Sequence, residues 1–334
     1  MLRRLAALFE PFVLALLGTV LLATILPARG MWAGVAEWAA RVGIVLLFFL
    51  HGAKLSRQAI VAGMRNWRLH AAVLASTFVL FPILGLVLAR APGLPGPLAA
   101  GMLFLTLLPS TVQSSIAFTA IARGNVAAAV CSASFSNLLG IVLTPALVAL
   151  LMQQGSGGVG LASVEAIILQ LLMPFVAGHV LGPWIGGFVA RQKLLLSLVD
   201  RGSILLVVYV AFGAAVVEGL WHRLSPVDLG IILMLCFALL AIVLMATWGA
   251  ARVLGLARED AIVLVFCGSK KSLASGVPMA GVLFSAGQVG IVLLPVMLFH
   301  QIQLIACAMI ARRYANASQA DVRPVGEMVN AAQG

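Results

Sequence analysis

Apolar runs of about twenty residues, set off by short stretches rich in Gly, Pro and polar side chains, recur from residue 8 to residue 311. A helix of that length crosses roughly 30 Å of hydrocarbon. The pattern predicts ten spans, near 8–27, 34–50, 69–90, 97–122, 126–152, 162–182, 196–217, 226–252, 258–284 and 289–311. Two of them are interrupted, the fourth at PSTVQSS (109–115) and the ninth at CGSKKSLASG (267–276). The short alternating segments of a membrane β-barrel do not occur. The expected fold is an all-α polytopic membrane protein. The tail over 314–334 is polar and rich in small residues, and is expected to be disordered.

Composition agrees. Hydrophobic residues make up 63% of the 334 and charged residues 9%, against roughly a quarter charged in soluble domains. Charge placement tests the span count. With ten spans, both termini and the even-to-odd loops share one side, which holds 15 of the 21 basic residues. The other side holds four, Arg29, Arg41, Arg90 and Arg223, and the remaining two are Lys270 and Lys271. That bias puts both termini in the cytoplasm of a multi-pass protein of the bacterial inner membrane. The net charge of +11 is then a membrane-topology signal and calls for no nucleic acid partner. MLRR followed by an apolar run resembles a signal sequence, but Glu10 and Pro11 interrupt it. Cys131, Cys236, Cys267 and Cys307 are scattered through apolar runs and read as small apolar residues.

The chain also repeats itself. Pro11-Phe12-Val13 recurs as Pro174-Phe175-Val176, and Gly124-Asn125-Val126 is matched by Gly287-Gln288-Val289, both at an offset of 163 residues. The same offset pairs Asn137 with His300 and lays the break at 109–115 over 272–278. Each half (1–155 and 160–313) then has five spans. Five is odd, so the second half enters from the opposite side, giving two inverted repeats as in many secondary transporters.

Backbone leaves the helix at membrane depth only where it is buried in protein or lines a watery cavity. The breaks are therefore the candidate site. The first offers Ser110, Thr111, Gln113, Ser114 and Ser115, with Ser132, Ser134, Ser136 and Asn137 on the span that follows. The second offers Ser269, Lys270, Lys271, Ser272 and Ser275, with His300, Gln301 and Gln303 on the tenth span. The competing reading treats these residues as polar glue between helices. A lysine at the centre of a spanning helix costs roughly 2.5–3.5 kcal/mol on insertion scales, which argues for a function for the pair. In a helix, neighbouring residues point about 100° apart, so the two ammonium groups face different surroundings. A buried positive site suits an anionic substrate. Alternatively, one lysine is neutral and carries a proton during transport.

PSTVQSSIAFTAIARGNVAAAVCSASFSNLLGIVLTP together with FCGSKKSLASGVPMA resembles the bile acid:sodium symporter family, and more narrowly its SBF-like branch, over about residues 8–313. The resemblance implies a panel and a core domain, fourth and ninth helices that are broken and cross, and transport of organic anions. In sodium-coupled members it implies two sodium ions behind the crossing. Here Ser115 matches the family's serine, but Ile116 stands at the asparagine. Ala129 and Ala133 fall at the helix-five hydroxyl positions, Phe266 at the glutamate and Lys270 at the glutamine. These departures speak against sodium coupling at those positions and suggest that the Lys270 ammonium occupies the space of a sodium ion. The implied partners are the lipid bilayer and a small organic anion, with Na+ or H+ as coupling ion and no other cofactor or metal. Intramembrane enzymes are disfavoured: there is no HExxH pair, no G-x-S-x-G elbow and no pair of membrane aspartates. The alternatives are a non-transporting regulatory or receptor-like membrane protein and a sodium-coupled symporter with a rearranged site.

Overall fold

A computed structural model describes residues 11–53, 66–152, 168–219 and 224–320. The described residues are helical, without strands. The helices are α1 (Pro11–Ile25), α2 (Met31–Ala53), α3 (Trp67–Leu88), α4 (Gly96–Leu107), α5 (Gln113–Ile121), α6 (Val126–Leu151), α7 (Met173–Arg191), α8 (Lys193–Val217), α9 (Pro226–Val253), α10 (Arg258–Gly268), α11 (Leu273–Leu283) and α12 (Ala286–Ala320). Seven helices among the described residues are long and apolar enough to cross a membrane. The predicted breaks lie where α4 gives way to α5 and α10 to α11. At 1.5 Å per residue none of these four segments crosses a bilayer alone.

Local chemistry sets many of the boundaries. Ser225 and Asp228 form a capping box at the start of α9, with Pro226 in its first turn. The Asn125 side chain accepts from the Ala128 N–H at the start of α6, and Arg123 before it takes the left-handed conformation at φ 58°. Two π-helical turns, Ser76–Leu80 within α3 and Ile168–Leu172 ahead of α7, each run up to a proline, Pro82 and Pro174. Proline brings no N–H and crowds the preceding turn, so the helix widens there.

Helices α1, α2, α7 and α8 pack on one another, and the rest gather around α4, α6, α10 and α12. Helices α2 and α7 approach so closely at Gly52 and Gly178 that each glycine lies against a backbone carbonyl of the other helix. The outer surface is apolar, with Leu21, Ile83, Val142, Met234, Phe237 and Met245 exposed, as lipid-facing helices require. At one end Asp260 accepts from Asn66 at 2.6 Å and from Asn125 at 2.9 Å, and Arg258 donates to the Tyr314 carbonyl at 2.9 Å. Loops predicted to share the cytoplasmic side are thus drawn together with the end of α12.

One expectation is corrected. The segment from 314 was expected to be disordered, but α12 continues to Ala320. Tyr314 is held by Arg258 and its ring meets Phe266 edge-on, so the helix is anchored past the last apolar turn. The rest of the expected tail, like residues 8–10 of the first span, lies outside the described residues.

Candidate functional site

Where the two breaks cross, many of the freed backbone groups find a partner, as buried polar groups must. The Ser272 N–H donates to the Pro109 carbonyl at 2.8 Å, joining the breaks directly. Around the first break, Thr144 Oγ1 donates to the Leu107 carbonyl and Asn137 Nδ2 to that of Ser110, while the Ser110 N–H is taken by Ser136 Oγ. Around the second, the hydroxyls of Ser269, Ser115, Ser110 and Ser76 donate in turn to the carbonyls of Val265, Phe266, Cys267 and Gly268. Three residues expected to bind a ligand, Ser110, Ser115 and Ser269, thus spend their hydroxyls on backbone. Ser132 bonds His70 Nδ1 at 2.7 Å, away from the crossing.

The two lysines have different surroundings. Both are fully buried, and neither forms a salt bridge with a carboxylate among the described residues. Lys271 Nζ donates to the carbonyls of Thr77, Thr106 and Leu108 at 2.7, 2.8 and 2.7 Å. Its backbone N–H and C=O are both held by the Gln303 side-chain amide at 2.9 Å. Lys270 Nζ makes one long contact, 3.5 Å to Ser114 Oγ, and lies over the rings of Phe118 and Phe266 at 4.3 and 5.5 Å from their centroids.

Beside the crossing lies a cavity of about 470 Å³. The first turns of α5 and α11 open onto it through Gln113, Ser114, Ser272 and Ser275, as do Thr111, Asn137 and His300. Thr111 Oγ1 is buried and has no protein partner among the described residues. Ser272 caps α11 through the Ser275 N–H, and Ser275 Oγ donates to Asn137 Oδ1 at 2.8 Å. Helices α5 and α11 therefore turn their partly positive ends toward the space. A second cavity of about 220 Å³ shares His51, Val112, Asn137 and Ser275 with the first. Its other walls include Ser134, Leu47, Phe48, Phe175 and Met279.

Three placements differ from the sequence expectations. Neither lysine lines the cavity; the cationic side chain that does is Arg201, beside Asp200 on α8. Both residues fall inside the predicted seventh span, a signal that the count of basic residues absorbed. Gln301 is half-buried and off the cavity, and Gln303, one turn on from His300 and bonded to its Nδ1, holds the Lys271 backbone and does not line the cavity either.

Residues 10–316 match the model of the SBF-like CPA transporter family (DUF4137). "Uncharacterized protein PA2026" of Pseudomonas aeruginosa is 59% identical over 309 residues, 92% of this chain and 93% of that protein. "Putative symporter YfeH" of Escherichia coli is 52% identical over 313 residues, 93% of this chain and 94% of that one. The sodium/bile acid cotransporter 7 of Rattus norvegicus is 23% identical over 273 residues, 79% of each chain.

Proposed function

Because this multi-pass membrane protein belongs to the SBF-like CPA transporter family, a family of transporters and not of enzymes, we propose that it is a secondary active transporter of a small organic anion. The observation that carries this reading is the cavity onto which α5 and α11 both open their N-terminal turns, with the Thr111 hydroxyl and the Arg201 guanidinium in its wall. An anionic group placed there meets helix N–H groups, a hydroxyl and a cation, with the Asp200 carboxylate beside Arg201 in the same wall. The adjoining cavity, walled by Leu47, Phe48, Phe175 and Met279, suits the organic remainder.

In this reading the chain forms ten spans as two inverted five-helix repeats, with α1, α2, α7 and α8 as panel and the other helices as core. The broken fourth and ninth spans are α4–α5 and α10–α11. The cavity lies toward the end of the bundle that carries Arg201 and the start of α8, the end predicted to face the cytoplasm of a bacterial inner membrane. Rocking of panel against core would expose the same groups to the other side.

Set against the resemblance to the bile acid:sodium symporters, the residues present speak against sodium coupling at the family's positions. Phe266 and Lys270 stand at family ligand positions, and the Phe266 ring forms a face for the Lys270 ammonium where the family has a carboxylate. Thermal stability of the purified protein, scanned against a panel of carboxylates in sodium and in choline, tests both points, since a ligand that binds the folded state raises its stability. The expected result is stabilisation by at least one carboxylate, equal in both salts and weakened in Arg201→Gln, the cationic side chain in the cavity wall. A strict sodium requirement would overturn the sodium-free reading, and indifference to every carboxylate would overturn the anion reading.

A further inference from the structure

The surroundings of Lys271 form a site in their own right. Three carbonyl oxygens, from Thr77, Thr106 and Leu108, converge on one point within 2.8 Å of the ammonium. The Phe81 ring closes a further side, its centroid 4.1 Å away. None of these groups bears a formal charge. Together they form a pocket of oxygen dipoles and a π face, which attracts a cation.

Each oxygen is free for a backbone reason that does not involve the lysine. In the π-helical turn of α3 the Phe81 N–H bonds the Ser76 carbonyl. The next residue, Pro82, has no N–H, so the Thr77 carbonyl has no helical partner. Thr106 and Leu108 sit at the end of α4, where the chain unwinds and carbonyls are left over. The Ser110 N–H that would have returned to Thr106 goes to Ser136 Oγ. The end of a helix also carries partial negative charge. The backbone of α3 and α4 alone therefore builds a cation site, and the second broken span reaches across to fill it.

We propose that Thr77, Thr106, Leu108 and Phe81 form a monovalent-cation site for a primary ammonium ion, occupied in this protein by its own Lys271 as a tethered cation. The tether joins three elements: the π turn of α3, the end of α4 and the break between α10 and α11. It makes the crossing self-sufficient in positive charge. The inference concerns the cage and does not depend on which substrate is carried.

Cation rescue tests it. Lys271→Ala removes the stem and the charge together and opens the cage. Its unfolding midpoint in detergent should fall, on the order of 10 °C. Methylammonium chloride should restore roughly half of that loss or more, saturably. Choline chloride at equal ionic strength should restore none, because its quaternary head has no N–H and is too bulky. The wild-type midpoint should respond alike to the two salts. Lys271→Asn, which keeps a donor and still leaves space for the small cation, is the second variant and should be rescued in the same way. Equal responses to methylammonium and choline in both variants overturn the proposal. So does failure to obtain either variant folded when methylammonium is present throughout purification.

Discussion

Gln303→Leu is expected to cost about 2–5 kcal/mol, while Gln301→Leu, two residues earlier on the same helix, should change stability by less than about 1 kcal/mol. The Gln303 amide accepts from the Lys271 N–H and donates to the Lys271 carbonyl, both at 2.9 Å, and it also contacts His300 Nδ1. It pairs with an unwound peptide much as a neighbouring strand would. Leucine matches the volume but leaves a buried donor and a buried acceptor without partners, each costing roughly 1–3 kcal/mol. The damage should extend to function, because this peptide positions both lysines. Thermal unfolding of the two variants side by side decides the matter. Equal midpoints for them would mean that the amide is dispensable and that the other hydrogen bonds of the crossing hold it.

The second large effect is expected at the contact of α2 with α7. A Cβ on Gly178 would land on the Phe49 carbonyl, and one on Gly52 would land on the Phe175 carbonyl. These obstacles are backbone, so no rotamer change relieves them and the helices must part. Overpacking of side chains costs typically 1–3 kcal/mol. Gly178→Ala and Gly52→Ala should therefore each cost about 3 kcal/mol or more, with leucine worse. The same two helices supply Leu47, Phe48, His51 and Phe175 to the cavity walls, so anion binding should weaken as well. Gly18→Ala is the control. Nothing lies within 4 Å of the added Cβ there, and alanine is the better helix former by about 0.5–1 kcal/mol. Unchanged stability in Gly178→Ala would contradict the close approach of the two backbones.

Both effects bear on how far the site could be read in advance. The helical segments and the places where two of them break were legible because hydropathy is a local property: a run of apolar residues satisfies its own backbone as a helix whatever surrounds it. The two lysines stood out for the same reason, as charges inside a run. Their separate roles were not legible. Lys271 meets Thr77, Thr106 and Leu108, between 163 and 194 residues away, while Lys270 meets aromatic faces. Adjacent in sequence, they point into different neighbourhoods.

The hydroxyls show the same limit. Ser110, Thr111, Ser114 and Ser115 look alike in a motif, yet the carbonyls of α10 take Ser110 and Ser115, Ser114 meets Lys270, and Thr111 lies in the cavity wall with no protein partner. Which hydroxyl is left for a ligand depends on which backbone groups the crossing leaves over. Arg201 reads in sequence as one more positive charge near a membrane face, and only the packing of α8 against the crossing brings it to the cavity. The amino-acid sequence by itself determined a helical membrane protein with two interrupted spans and a buried lysine pair. The tertiary structure alone decided which lysine is caged, which glutamine holds it and which polar groups face the cavity, because carbonyls freed at a helix break take partners from whatever side chains the fold brings within about 3 Å.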